Sequence, residues 1–241
     1  MRNQPLTSPS LSGLVKTSMK SKHWICLSFF ALTIAIAHLQ AAENPPDESV
    51  LKPVGDGWLP VFNGTNLDGW KAQTNYWRVD EGGVLHGHTP GTSDHHYAFT
   101  ETNYADFELH ADVKLIGNNS GVCIHIAPTS FDNVPGYQVD MGEGYWGCLW
   151  DERGRGMVVK YPTDQAATLV HHDDWNHYYV RARGHHIEAW LNGVKTIDVV
   201  DEKGLLSGPI GFQLCHGTGK MTDASFKNVV YRPLTPVDSG K

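Results

Sequence analysis

Residues 136–153 read GYQVDMGEGYWGCLWDER and concentrate side chains able to do chemistry. Period-two alternation puts Gln138 and Asp140 on one face of a strand, with Tyr137, Val139 and Met141 on the other. Glu143 follows in a Gly-x-Gly turn, where backbone can approach a ligand closely. Asp140 and Glu143 on one rim can divide general-acid and general-base work. The plain alternative is an edge strand whose carboxylates are solvated. Tyr145, Trp146 and Trp150 offer flat apolar faces beside these polar groups, and the C–H patches of sugars pack on such faces. Core filling is the competing role for one or two of them. Asp151, Glu152 and Arg153 form a compact charged triplet, suited to hydroxyl contacts or to a local ion pair.

Histidine is abundant, with 14 in the chain. His86 and His88 share a strand face, and His95-His96 follow within ten residues. That spacing can hold a divalent metal able to polarise a carbonyl, although the intervening loop favours solvated imidazoles. His171-His172 and His185-His186 flank turns and read as surface residues. No Gly-rich phosphate loop lies in a strand–helix context, no HExxH occurs, and the surroundings of Ser120-Gly121 do not fit a nucleophile elbow. No organic cofactor is therefore expected; a divalent metal stays open.

Positioning such groups requires strands. Ala105–Leu115 alternates over its length, with Phe107, Leu109, Ala111, Val113 and Leu115 on one face. Val122, Ile124 and Ile126 alternate with Cys123 and His125, and Ile210, Phe212 and Leu214 repeat the pattern. Asn192-Gly193 between two apolar runs signals a hairpin, because a type I′ turn needs positive φ twice. Helical periodicity is almost absent after residue 57. Many short strands joined by Gly-rich turns predict an all-β antiparallel sandwich in one domain.

Residues 1–42 carry Arg2, Lys16, Lys20 and Lys22, no acid, and an apolar run at 24–37 followed by small residues. This is the order of a secretory leader, so export to the periplasm or the extracellular space is expected, with no membrane contact beyond that segment. Residues 43–57 are polar and Pro-rich and read as a linker; 58–234 form the domain and 235–241 a tail. The whole chain has a net charge of −7, and without the leader 15 Lys+Arg face 26 Asp+Glu. A mature charge near −11 argues against nucleic acid and acidic polysaccharides and suits neutral sugars. Cys123, Cys148 and Cys215 remain beside the leader's Cys26; their spacing matches no zinc motif, and buried free thiols are expected.

The order of several short motifs resembles a known family. Residues 58–70 (WLPVFNGTNLDGW) are similar to its opening, followed by WRVDEGGVL at 77–85, YADFEL at 104–109 and NSGV at 119–122. GYQV at 136–139, WN at 175–176, LNG at 191–193, GPIG at 208–211 and FKNV at 226–229 complete the set. Together they resemble the 3-keto-disaccharide hydrolase domain, once called domain of unknown function 1080. The resemblance implies a concanavalin-like jelly roll of two curved antiparallel sheets. It also implies cleavage of glycosides whose C3 hydroxyl is oxidised to a ketone, with a 3-keto-glycoside or neutral oligosaccharide as ligand. His125 stands where many relatives carry Arg, which gives it a catalytic expectation beside the default of a core histidine. Gln213 and His216 fall on the family's closing strand, here one residue longer, and are expected at the substrate. A non-catalytic carbohydrate-binding or adhesion module is the alternative on the same fold.

Overall fold

The structure is a computed structural model that describes residues 45–235. The leader expected at 1–42, and all but the first residue of the tail expected at 235–241, lie outside the described residues. The strands are Leu59–Pro60 (β1), Trp70–Lys71 (β2), Trp77–Asp80 (β3), Val84–Thr89 (β4), His96–Thr100 (β5), Phe107–Gly117 (β6), Asn119–Ile124 (β7) and Gly136–Gly142 (β8). Leu149–Glu152 (β9), Gly156–Val159 (β10), Asn176–Arg183 (β11), His186–Leu191 (β12), Val194–Val200 (β13), Gly211–Leu214 (β14) and Thr222–Pro233 (β15) follow. They form two antiparallel sheets, as the alternation and turns predict. The first runs β13-β12-β11-β6-β15-β4-β3, with β1 also against β15; the second runs β10-β9-β8-β7-β14-β5-β2.

The apolar faces of the two sheets meet in one core. On β6, Phe107, Leu109, Ala111, Val113 and Leu115 are all buried, which is the face the alternation assigns inward. From the second sheet, Phe212 on β14 stacks on Phe226 of β15 at 3.8 Å and 16°. Trp70 lies against the same Phe212 at 5.6 Å and 12°. These rings bury large apolar area and tie the sheets near their middle. Tyr178 on β11 adds a polar tie, since its hydroxyl donates to the Asp140 carbonyl oxygen at 2.7 Å and accepts from Gly147 N–H at 3.0 Å.

Three local outcomes depart from or refine the sequence reading. The Asn192-Gly193 turn has φ of 49° and 85°, as a type I′ hairpin needs. A short α-helix, Thr163–Leu169 (α1), interrupts the strands and buries Ala166 in the core. The segment read as a linker docks instead: Asp47 N–H donates to the Gly193 carbonyl at 2.8 Å, and Val50 packs with Tyr179 and Trp190. Among the described residues no helix is long and apolar enough to cross a membrane.

Phe212→Ala removes the ring shared by both stacks. It should lower stability by about 3–5 kcal/mol in urea unfolding, the range of a buried Phe truncation.

Candidate functional site

The outer face of the second sheet carries a row of buried polar side chains. Gly121 on β7 pairs with Asp140 on β8, and Cys123 with Gln138. Gln138 pairs in turn with Trp150 on β9, and Gln213 on β14 with Tyr97 on β5. Gln138 lies flat over Gly121, where an added Cβ would stand 2.3 Å from the glutamine Cγ. From there its Nε2 donates to Gln213 Oε1 at 3.2 Å, while Cys123 Sγ donates to Gln138 Oε1 at 3.3 Å. Gln213 Nε2 donates to the Tyr97 hydroxyl at 2.6 Å and to Glu152 Oε1 at 3.3 Å. Each amide is thus satisfied without water, which fixes its rotamer.

Asp140 stands beside this row with only 4% of its surface exposed. Its Oδ1 accepts from Asn119 Nδ2 at 2.7 Å. Burial raises the carboxyl to about 8; the Asn119 hydrogen bond opposes that rise and the nearby Glu152 charge adds to it. Glu152 is itself raised above the usual carboxylate range, chiefly by burial, with the Gln213 hydrogen bond opposing. Two carboxyls therefore hold protons more tightly than exposed acids do, and one is poised near neutrality.

Both open on a cleft of about 590 Å³. Asn119 and Asp140 form part of its lining, and Tyr145 and Trp150 meet edge to face at 6.1 Å along it. Tyr145 is among the exposed large apolar residues, so its ring is open to solvent along the cleft. Arg153 and Lys220 bring cations to the cleft, and His95, Cys215 and His216 complete this set. The neighbouring part of the same sheet face is covered. There Tyr97, Phe99 and Cys123 pack with Ile126, Val134 and Phe131 from the loop after β7.

The structure brings Asp140, Tyr145, Trp150, Asp151, Glu152, Arg153 and His216 to this cleft, and sets Gln138 and Gln213 beneath it, both fully buried. Asp151 is tied by Arg155 Nε at 2.6 Å, and Arg153 donates to the Asp132 carbonyl at 2.8 Å. Glu143 goes elsewhere. Gly142, at φ 151°, starts a turn closed by Tyr145 N–H to the Gly142 carbonyl, and exposed Glu143 lines a separate 330 Å³ pocket beside α1. Trp146 borders that pocket too, but is 93% buried and stacks on Tyr178 at 6.2 Å and 21°, as a core residue does. His125 is also away from the cleft. Its φ of 49° ends β7 one residue early, and the ring turns inward to the Ala105 carbonyl at 2.7 Å, where burial lowers its pKa. The alternation that would have aimed it outward stops at Ile124.

The histidine pairs separate as well. His86 bonds Asp80 at 2.7 Å and Asp223 at 3.0 Å, whereas His96 bonds Gln73 and Thr92. Asn119, His95, Cys215 and Lys220 line the cleft without having been singled out for it. One of them carried a signal: Asn119 is two residues before Gly121 on the same strand, so period two puts it on the polar face.

The fold and family are recognisable by comparison. Residues 57–232 match the family described as the 3-keto-alpha-glucoside-1,2-lyase-like domain. Among solved structures, a candidate glycosyl hydrolase from Parabacteroides distasonis ATCC 8503 is similar with a TM-score of 0.55 at 22% identity, over 74% of this chain and 94% of its own. The carbohydrate-binding module CBM66 from Bacillus subtilis gives 0.52 at 16% identity, over 71% and 99%. A Bacillus subtilis protein of unknown function with a galectin-like fold gives 0.55 at 11%, over 75% and 96%. At these identities the likeness is one of fold. A search of curated protein sequences finds no match.

The raised Asp140 carboxyl sets a stability test with a defined sign. Its folded pKa is about 8 against an ordinary value of 3.8, so the folded state holds this proton more tightly than the unfolded chain. The carboxyl thus costs nothing well below pH 3.8 and progressively more as pH rises to 8. Asp140→Asn should therefore match wild type in Tm near pH 3 and exceed it by several degrees at pH 8–9, read by thermal unfolding across pH.

Proposed function

Because this chain belongs to the 3-keto-alpha-glucoside-1,2-lyase-like family, we propose that its cleft cleaves glycosides already oxidised to a ketone at C3. The observation that carries the reading is Asp140: a nearly buried carboxyl, poised near neutral pH, opening on an aromatic-walled cleft beside a second protonation-prone carboxyl. A 3-keto group acidifies the C2 hydrogen. Asp140, ionised, takes that proton as the C2–H bond breaks and an enolate forms. Arg153 and Lys220 supply positive charge along the same cleft for the developing oxyanion. The enolate then collapses, C1=C2 forms, and the C1–O bond breaks with its electron pair leaving on the glycosidic oxygen. Glu152 supplies the proton that oxygen needs. Readdition of water across C1=C2 gives net hydrolysis; release of the enone gives a lyase.

The sugar ring packs on Tyr145 and Trp150, while Gln138 and Gln213 act beneath the ligand and hold Glu152 in place. The apolar leader segment supports a place of action outside the cytoplasm. A pure binding module would need the aromatic wall but has no use for a desolvated carboxyl pair, whose burial is unfavourable.

Incubation with a 3-keto-glucoside, followed by detection of the released alcohol, tests the reading. Wild type should turn it over, and Asp140→Asn should lose about 10²–10⁴-fold in kcat, as loss of a general base does. Glu143→Gln, outside the cleft, should stay within about twofold. If Asp140 is the base, the limb of the kcat/KM profile that rises with pH should reflect a group titrating near 8, and Asp140→Asn should abolish that limb. Binding of the ketosugar without turnover would leave a carbohydrate-binding module instead.

A further inference from the structure

His95, Cys215 and His216 stand together in the cleft with one ligand atom from each within 4.8 Å of the others. We infer that these three side chains form a binding centre for a divalent ion of the zinc class, with an open position facing the Asp140 cleft. The role given to that position rests on the reaction proposed above; the ion binding itself does not.

The donor set is two imidazole nitrogens and one sulfur, which suits a borderline-soft ion far better than Mg²⁺ or Ca²⁺. Its spacing fits too. His95 Nε2 lies 3.0 Å from His216 Nδ1, and Cys215 Sγ lies 3.8 Å from the same His216 nitrogen. Tetrahedral zinc, with Zn–N near 2.0–2.1 Å and Zn–S near 2.3 Å, places its ligand atoms roughly 3.3–3.6 Å apart. The two contacts to His216 bracket that range, and the third pair, His95 with Cys215, lies within 4.8 Å.

The backbone holds them in place. β14 ends at Leu214, so Cys215 and His216 leave strand geometry and need not point to opposite faces. Their loop is pinned on both sides: Cys215 N–H donates to the Asn119 carbonyl at 3.2 Å, Asn118 Nδ2 to the His216 carbonyl at 3.0 Å, and Gly217 N–H to the Thr92 carbonyl at 2.8 Å. His95 approaches from the residue just before β5. All three residues line the same cleft as Asp140, which leaves a fourth coordination position for a ligand oxygen.

A second trio among the described residues shows the contrast. His186, Glu188 and Asp198 also converge, but Lys195 Nζ already sits 2.6 Å from Glu188 and 2.9 Å from Asp198, and Arg181 bonds Glu188 as well. Those carboxylates are spoken for by cations of the protein. The His95 trio has no such lysine or arginine hydrogen bond. Its competing arrangement is a hydrogen-bonded pair, in which the His216 backbone N–H donates to His95 Nδ1 at 3.3 Å and His216 Nδ1 meets His95 Nε2 at 3.0 Å.

With an ion in place, the centre and Asp140 share one cleft. The ketone oxygen of a 3-keto sugar completes the coordination and is polarised while Asp140 takes the C2 proton. This assigns His216 and its partners to ligand recognition through the ion rather than by direct hydrogen bonds.

Titration of the full chain, stripped with a chelator, with Co²⁺ tests the centre independently of any substrate. One equivalent should bind with a thiolate-to-cobalt absorption band in the near ultraviolet and visible d–d bands of tetrahedral strength. Cys215→Ser should lose the thiolate band, and His95→Ala should bind at least about 100-fold more weakly, with unchanged far-ultraviolet circular dichroism showing that each variant folds. Absence of stoichiometric binding, or a spectrum that survives Cys215→Ser, overturns the inference and leaves the hydrogen-bonded pair. Stoichiometric thiolate-bound cobalt in a protein that never turns over a ketosugar supports the centre and removes the reaction. Full turnover by the chelator-stripped protein, verified metal-free, removes the ion's role in that reaction.

Discussion

Gln138 crosses from β8 toward Gln213 on β14, and it can do so because Gly121 on the intervening strand has no side chain. Any Cβ at that position would push the glutamine off the sheet. With it in place, one amide hands its hydrogen bond to the next until Tyr97 and Glu152 are reached. The polar floor so formed is dry and fully paired, so it behaves as a rigid surface rather than as a set of mobile amides. Asp140 borrows that rigidity. Its carboxyl is kept from water by neighbours that cannot relax to solvate it, and its raised pKa follows.

The core supports the floor from below. Phe212 precedes Gln213, so the residue that anchors the inter-sheet stack is adjacent to the one that anchors the network. Tyr178 does something similar at Asp140, reaching from the opposite sheet to the aspartate's own carbonyl. Packing on the inner face and chemistry on the outer face thus share the same short lengths of backbone. Strand period two makes that sharing unavoidable: each inward residue sits between two outward ones.

Sequence pattern reaches far into this arrangement. Alternation at 105–115 suffices to orient β6, and Asn192-Gly193 to locate a hairpin, because both signals are local. Asp140 and Gln138 are placed on a common outward face by the same rule. What the pattern lacks is any mark of where alternation ends. His125 keeps the right parity but itself takes a positive φ, and the strand alternation stops before it. Glu143 is near Asp140 in the chain yet separated by the Gly142 turn, whereas Glu152 comes from the next strand and is carried in by pairing. Trp146 lies in the turn before β9 and packs on Tyr178 in the core, whereas Trp150 is on β9 opposite Gln138 and is carried to the outer face by strand pairing. Cys215 and His95 are 120 residues apart, and only the pairing of β14 with β5 makes them neighbours.

The loop after β7 lays Phe131, Val134 and Ile126 over Tyr97, Phe99 and Cys123, so one stretch of the outer face is roofed with apolar side chains. An open jelly-roll groove lets a polymer lie through it from side to side. A groove stoppered on one flank does not: whatever enters must present a terminus and back out the way it came. On the proposed reading of the cleft as a sugar site, the roof would favour the ends of chains and short saccharides over the interior of a long strand.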